Sequence, residues 1–132
     1  MIVPSSDNWK VIIADRSEIS AQLLKDLAKS IFSDVSIEQD AKALVAIISQ
    51  SMSTDSPIRI AIINHKLSGI DGVEVTKLIR DTGYQGTIIG TSSEFTEQLK
   101  DEWTTAGCDG FIAKPILIDH LLDELSRLLT SE

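Results

Sequence analysis

Four short clusters carry the polar side chains of this chain that could do chemistry: Asp15-Arg16, Asn64-His65-Lys66, Thr91-Ser92 and Lys114-Pro115. Each closes an apolar run that reads as a strand. In an open parallel sheet, ligands bind outside the carboxyl ends of the strands, where the strand order reverses, so the four clusters are expected to converge on one pocket. Together they bring one carboxylate (Asp15), two cations (Arg16 and Lys114), a hydroxyl (Thr91) and an amide (Asn64), with Lys66 close behind. An amide nitrogen is a poor nucleophile because its lone pair is delocalised into the carbonyl. Magnesium requires several hard oxygens in an octahedral array, and one carboxylate outnumbered by cations does not supply them. The expectation is a pocket with no catalytic residue, no metal and no cofactor, held by pairing Asp15 with Arg16 or Lys114 in preference to capturing a stray anion.

Positioning these clusters requires strands and helices in alternation, and the hydropathy pattern supplies it. The strand runs are Lys10-Val11-Ile12-Ile13-Ala14, Val35-Ser36-Ile37-Glu38-Gln39, Ile58 to Asn64, Thr87-Ile88-Ile89-Gly90-Thr91 and Gly110-Phe111-Ile112-Ala113. The first, third and fourth are nearly continuous in Ile and Val, as in strands covered on both faces, whereas the second alternates like an edge strand. Between them, apolar residues recur at helical spacing: Ile19, Leu23, Leu24, Leu27 and Ile31; Ala41, Leu44, Val45 and Ile48; Val75, Leu78 and Ile79; Phe95, Leu99, Trp103 and Ala106; then Ile118, Leu121, Leu122, Leu125, Leu128 and Leu129. Each stripe is expected to pack on the sheet. Ser17 and Asp40 are candidate N-caps, and Asp71-Gly72-Val73-Glu74 has the spacing of a capping box. The predicted fold class is α/β. Residues 1–8 are expected to be a flexible tail before one domain spanning 9–132.

Composition narrows the function classes. With 12 Lys and Arg residues against 20 Asp and Glu, the formal net charge is −8, which disfavours the phosphate backbone of nucleic acid. No apolar stretch is long enough to span a membrane, and the start lacks the basic segment and apolar run of a secretory signal. The lone Cys108 has no disulfide partner within the chain and is expected to be a small buried residue, consistent with a reducing cytoplasm. His65 reads as a surface loop residue, and His120, on a helix, gives no reason to pair the two around a metal.

The four motifs resemble those of the receiver domain of two-component response regulators. Val11 to Ser17 looks like its first, acidic motif; Ile62-Ile63-Asn64 followed by Asp71-Gly72 looks like its phosphoacceptor motif; Ile88 to Ser92 and Ala106 to Pro115 look like the last two. The resemblance implies a flavodoxin-like receiver fold: a five-stranded parallel sheet in the order 2-1-3-4-5 with helices on both faces. It also implies a switch, in which Thr91 moves toward a phosphoryl group, Phe111 turns inward, and the face formed by helix 4, strand 5 and helix 5 changes its affinity for a signalling partner. This sequence departs from the family at two positions. Asn64 stands where the family has its acceptor aspartate, and Arg16 where it has a metal-binding acid. The resulting expectation is an atypical receiver, or pseudo-receiver, with a degenerate pocket of Asp15, Arg16, Asn64, Lys66, Thr91 and Lys114. It would not be an enzyme, and would act independently of phosphorylation through a protein partner or a second copy of itself. Two alternatives stand beside it: an ordinary phosphoaccepting receiver carrying an engineered Asp-to-Asn change, and a flavodoxin-like small-ligand-binding or enzymatic domain. Arg16 speaks against the first. The missing Gly-rich phosphate loop and serine elbow speak against the second.

Overall fold

The structure, a computed structural model, describes residues 9–129; the tail expected over 1–8 lies outside the described residues. Among these, strands and helices alternate as β1 (Lys10–Ala14), α1 (Glu18–Ala28), β2 (Asp34–Glu38), α2 (Ala41–Ser51), β3 (Ile58–Asn64), α3 (Gly72–Asp81), β4 (Thr87–Ser92), α4 (Glu97–Ala106), β5 (Gly110–Ala113) and α5 (Ile118–Leu129). The sheet is parallel in the order β2-β1-β3-β4-β5. The chain therefore has the flavodoxin-like receiver architecture.

The continuous Ile/Val runs are explained by the two cores. Val11, Ile13, Ile60, Ile62 and Ile89 face α1 and α5, where Leu24, Leu121 and Leu125 meet them. Ile12, Ala61, Ile63 and Ile88 face the other side, against Leu44, Ile48, Val75, Ile79 and Trp103. Successive side chains of a strand point to opposite faces, so a strand buried twice has no polar face to show.

Several local expectations are corrected. The expected α1 stripe is rotated: Ala21, Leu24 and Ala28 are buried, while Ile19 is 76% and Leu23 63% exposed. Two alanines let the helix lie close on the sheet and share the contact face with Leu24, while Leu27 and Ile31 of the expected stripe are partly buried against the same core. Leu78 is likewise 45% exposed, because Val75, Thr76 and Ile79 form the inner face of α3. Phe95 precedes α4, whose N-cap is Thr96. β2 starts one residue earlier than expected, since Asp34 pairs with Lys10. The caps at Ser17, Asp40 and Asp71 are present, each accepting a backbone N–H three residues on, from Ser20 at 3.2 Å, Ala43 at 3.0 Å and Glu74 at 2.9 Å.

At the opposite end of the sheet from the four clusters, Arg80 ties two connections together, the one between α3 and β4 and the one between α4 and β5. Its guanidinium donates to the carbonyls of Gly107 (3.0 Å), Tyr84 (2.9 Å) and Gly86 (2.8 Å) and to Asp109 Oδ2 (2.9 Å), which also accepts from Ile88 N–H. Nearby, Cys108 is buried as expected, and burial pushes its thiol up to about 12. Burial also raises the Tyr84 phenol, whose hydroxyl donates to the Ile58 carbonyl at 2.8 Å. Both groups hold their protons more tightly folded than unfolded, so the stability they supply is complete below the ordinary thiol value of 9.0 and is lost as pH rises toward about 12. The urea midpoint should accordingly fall progressively above about pH 9, and the Cys108→Ser variant should lose less over the same interval. A midpoint independent of pH up to about 11 would contradict this.

Candidate phosphorylation-type pocket at the strand ends

Sheet register decides how the site is assembled. β3 and β4 place Asn64 directly opposite Thr91, and β1 beside β3 places Ala14 opposite Ile63, which brings Asp15 next to Asn64. Here the chain leaves β1, β3, β4 and β5 together. A cleft of about 170 Å³ opens at this point, lined by Asp15, Arg16, Ser17, Asn64, His65, Lys66, Ser92, Ser93 and Lys114.

The pocket's polar groups are largely satisfied from within. Lys114 Nζ donates to Asp15 Oδ2 at 2.7 Å, and Ser17 N–H donates to Asp15 Oδ1 at 2.9 Å. Asp15 is 4% exposed, so this ion pair is screened far less than a surface pair, and removal of Lys114 would strand a buried charge. Asn64 is engaged at both ends of its amide: Nδ2 donates to the Lys66 carbonyl at 3.1 Å, and Oδ1 accepts from Thr91 Oγ1 at 3.1 Å. The Lys66 carbonyl also accepts from Arg16 N–H at 3.2 Å, which ties the loop after β1 to the loop after β3.

Of the residues expected in the pocket, Asp15, Arg16, Asn64, Lys66 and Lys114 line it, with Arg16 and Lys66 exposed at its rim. Thr91 does not. It is 1% exposed and lies behind Asn64, leaving Ser92 and Ser93 on the wall. The pairing expected for Asp15 is made by Lys114 and not by Arg16. Phe111 is half-buried beneath the site, its ring 5.5 Å from that of Phe95 and 6.2 Å from that of Trp103. His65 lies in the loop after β3, as expected, but it is not wholly at the surface. It is half-buried, lines the pocket, and packs 5.8 Å from the Trp103 ring. Its position immediately after the strand-end Asn64 was the signal for this.

A profile of the response regulator receiver domain matches residues 11–126, nearly the whole chain. The chain belongs to this family. The receiver is 23% identical over 121 residues to ethylene receptor 2 of Arabidopsis thaliana, covering 91% of this chain but only 16% of that protein; it thus spans about a sixth of that relative's length. Among solved structures, it superposes with a TM-score of 0.83 on a LuxR-family two-component response regulator from Aurantimonas (17% identity, 97% of this chain and 88% of that one). Against a mutant receiver domain of the Arabidopsis thaliana histidine kinase CKI1 the TM-score is 0.81, with 21% identity and 99% of each chain covered. At such identities these likenesses speak for the fold.

The magnesium ion that the receiver family implies does not fit the residues present. Each oxygen of Asp15 already accepts a hydrogen bond, one of them from the Lys114 ammonium, Asn64 Oδ1 accepts from Thr91, and among the described residues no group of three or more His, Cys, Asp and Glu side chains converges. Arg16 and Lys66 add positive charge at the same rim. Among the described residues, no helix is long and apolar enough to cross a membrane.

Proposed function

We propose that this receiver works without phosphorylation, as a protein-interaction module in signal transduction, formed by residues 9–132. The observation that carries the reading is the double engagement of the Asn64 amide, by Thr91 on one side and the Lys66 carbonyl on the other. Where the family has a nucleophilic carboxylate, this chain has a neutral group already satisfied by its neighbours. The Lys114 ammonium, which could hold a transferred phosphoryl group, instead neutralises Asp15.

The same bonds bias the switch. Thr91 is already drawn toward position 64, and Phe111 already packs on Phe95 and Trp103. By the logic of the resemblance this arrangement is the switched-on one, held by internal hydrogen bonds and packing. A conformational equilibrium shifts only by the differential affinity of a ligand for its two states, and here intramolecular contacts supply that bias. Output through the α4-β5-α5 face, to a cytoplasmic signalling partner or a second copy of the chain, follows from this state. Its acidity gives no footing for nucleic acid.

Incubation with acetyl phosphate and magnesium, followed by intact-mass measurement, should yield no phosphoryl adduct. Stoichiometric modification would overturn the reading.

A further inference from the structure

We propose that the Trp103 indole is a built-in wedge, holding β4 and Phe111 in one arrangement so that the α4-β5-α5 face is displayed constitutively. This deepens, and rests on, the reading that the receiver works without phosphorylation. From α4 the ring reaches beneath the sheet to α3, where its N–H donates to Thr76 Oγ1 at 3.1 Å. It is 0% exposed. It lies against Gly90, the residue before Thr91, where a Cβ would come within 2.8 Å of the ring. Its other ring neighbours are His65 from the pocket, with 5.8 Å between centroids, and Phe95 and Phe111 from the proposed output face, at 6.0 and 6.2 Å. A single side chain thus touches the strand that carries Thr91, the loop that lines the pocket and both rings of the face.

Sheet register makes the wedge possible. β4 and β5 set Gly90 beside Phe111, and β3 and β4 set Thr91 beside Asn64. Glycine at position 90 leaves, on the α4 side of the sheet, the room that the indole fills next to the Phe111 ring. Thr91 cannot move away from Asn64 without carrying Gly90, one peptide bond away, past a ring already in contact with it. Close-packed interiors answer such a displacement by adopting a second discrete packing or none, and the indole, tied to Thr76, leaves no room for a second. Phe111 is held in the same way. Its ring stands edge-on to Phe95 at 5.5 Å and 70°, and its N–H donates to Glu124 Oε2 at 2.8 Å. Arg127 grips that carboxylate through two bonds of 3.0 and 2.9 Å. A ligand shifts a conformational equilibrium by fitting one state better than the other; Trp103 does so permanently, as part of the chain.

Relaxation-dispersion NMR, which reads exchange on the μs–ms timescale, tests this at the amides of Gly90, Thr91 and Phe111. In the unaltered chain these should show no exchange. Trp103→Phe and Trp103→Leu should each introduce it, with a minor state populated to roughly 1–10%. Exchange confined to these residues, and suppressed again when Gly90→Ala refills the space in the Trp103→Leu chain, separates a wedge from a mere loss of stability. Should Trp103→Leu fail to fold, Trp103→Phe and the unaltered chain still decide. Exchange at Thr91 and Phe111 in the unaltered chain, or its absence from a folded Trp103→Phe, would overturn the proposal. The outcomes are separable: a phosphoryl adduct from acetyl phosphate overturns the phosphorylation-independent reading, whereas an unmodified protein that already exchanges at Thr91 and Phe111 overturns this one.

Discussion

Asn64→Asp alone is expected to leave the protein a poor phosphoacceptor, while Asn64→Asp combined with Arg16→Glu is expected to accept phosphate from acetyl phosphate and magnesium on the order of 100-fold faster. In the single variant the carboxylate can still accept from Thr91, but its other oxygen would face the Lys66 carbonyl, which the amide of Asn64 now approaches at 3.1 Å. Two acceptors repel where a donor and an acceptor had met, so the side chain has to turn. The pocket would still hold three cations against two carboxylates and would disfavour a divalent ion. Converting Arg16 as well leaves three carboxylates against Lys66 and Lys114, and the sign of the site reverses. Arg16 is exposed, so its replacement should alter stability by no more than about 0.5 kcal/mol. The check is the rate of phosphoryl adduct formation by intact mass. A single variant as fast as the double would mean that Arg16 is irrelevant to metal binding.

Trp103→Ala should destabilise the fold by about 3–5 kcal/mol, the usual range for truncating a buried large aromatic. Trp103 is 0% exposed and its indole N–H donates to Thr76 Oγ1 at 3.1 Å, while that hydroxyl donates to the Gly72 carbonyl at 2.7 Å. The ring occupies space that two glycines leave open: a Cβ on Gly90 would lie 2.8 Å from it, and one on Gly72 would lie 3.0 Å from it and 2.5 Å from the Asn64 carbonyl. His65, Phe95 and Phe111 close around the same ring. Truncation would therefore leave a cavity under both the pocket and the α4-β5 face. Denaturant midpoints should show the loss directly. Trp103→Phe should cost less, because it keeps much of the apolar volume and the Thr76 hydroxyl retains its bond to Gly72. Equal losses from the two variants would contradict the packing account.

Much of the fold was legible because both periodicities are local. Double burial demands unbroken Ile and Val in β1, β3 and β4, and cap residues satisfy backbone donors within three residues of themselves. The α1 face was legible at Leu24, Leu27 and Ile31 but not at Ile19 and Leu23, because hydropathy favours large side chains whereas close helix packing selects Ala21 and Ala28. The place of His65 beside the pocket could be read from its position after Asn64, but its packing could not, because Trp103 is distant in sequence and reaches it from α4.

The residue types at the strand ends belong to the sequence alone. No folding detail can turn the Asn64 amide into a carboxylate or Arg16 into an acid, so the departure from acceptor and metal chemistry could be read from the chain itself. Pairing was decided only by the tertiary structure. Asp15 and Lys114 lie at opposite ends of the chain, and sheet order and register bring Lys114 within 2.7 Å of Asp15 while Arg16 turns to the rim. Coulomb attraction falls with distance and strengthens with burial, so which cation neutralises Asp15 depends on geometry that no local pattern encodes.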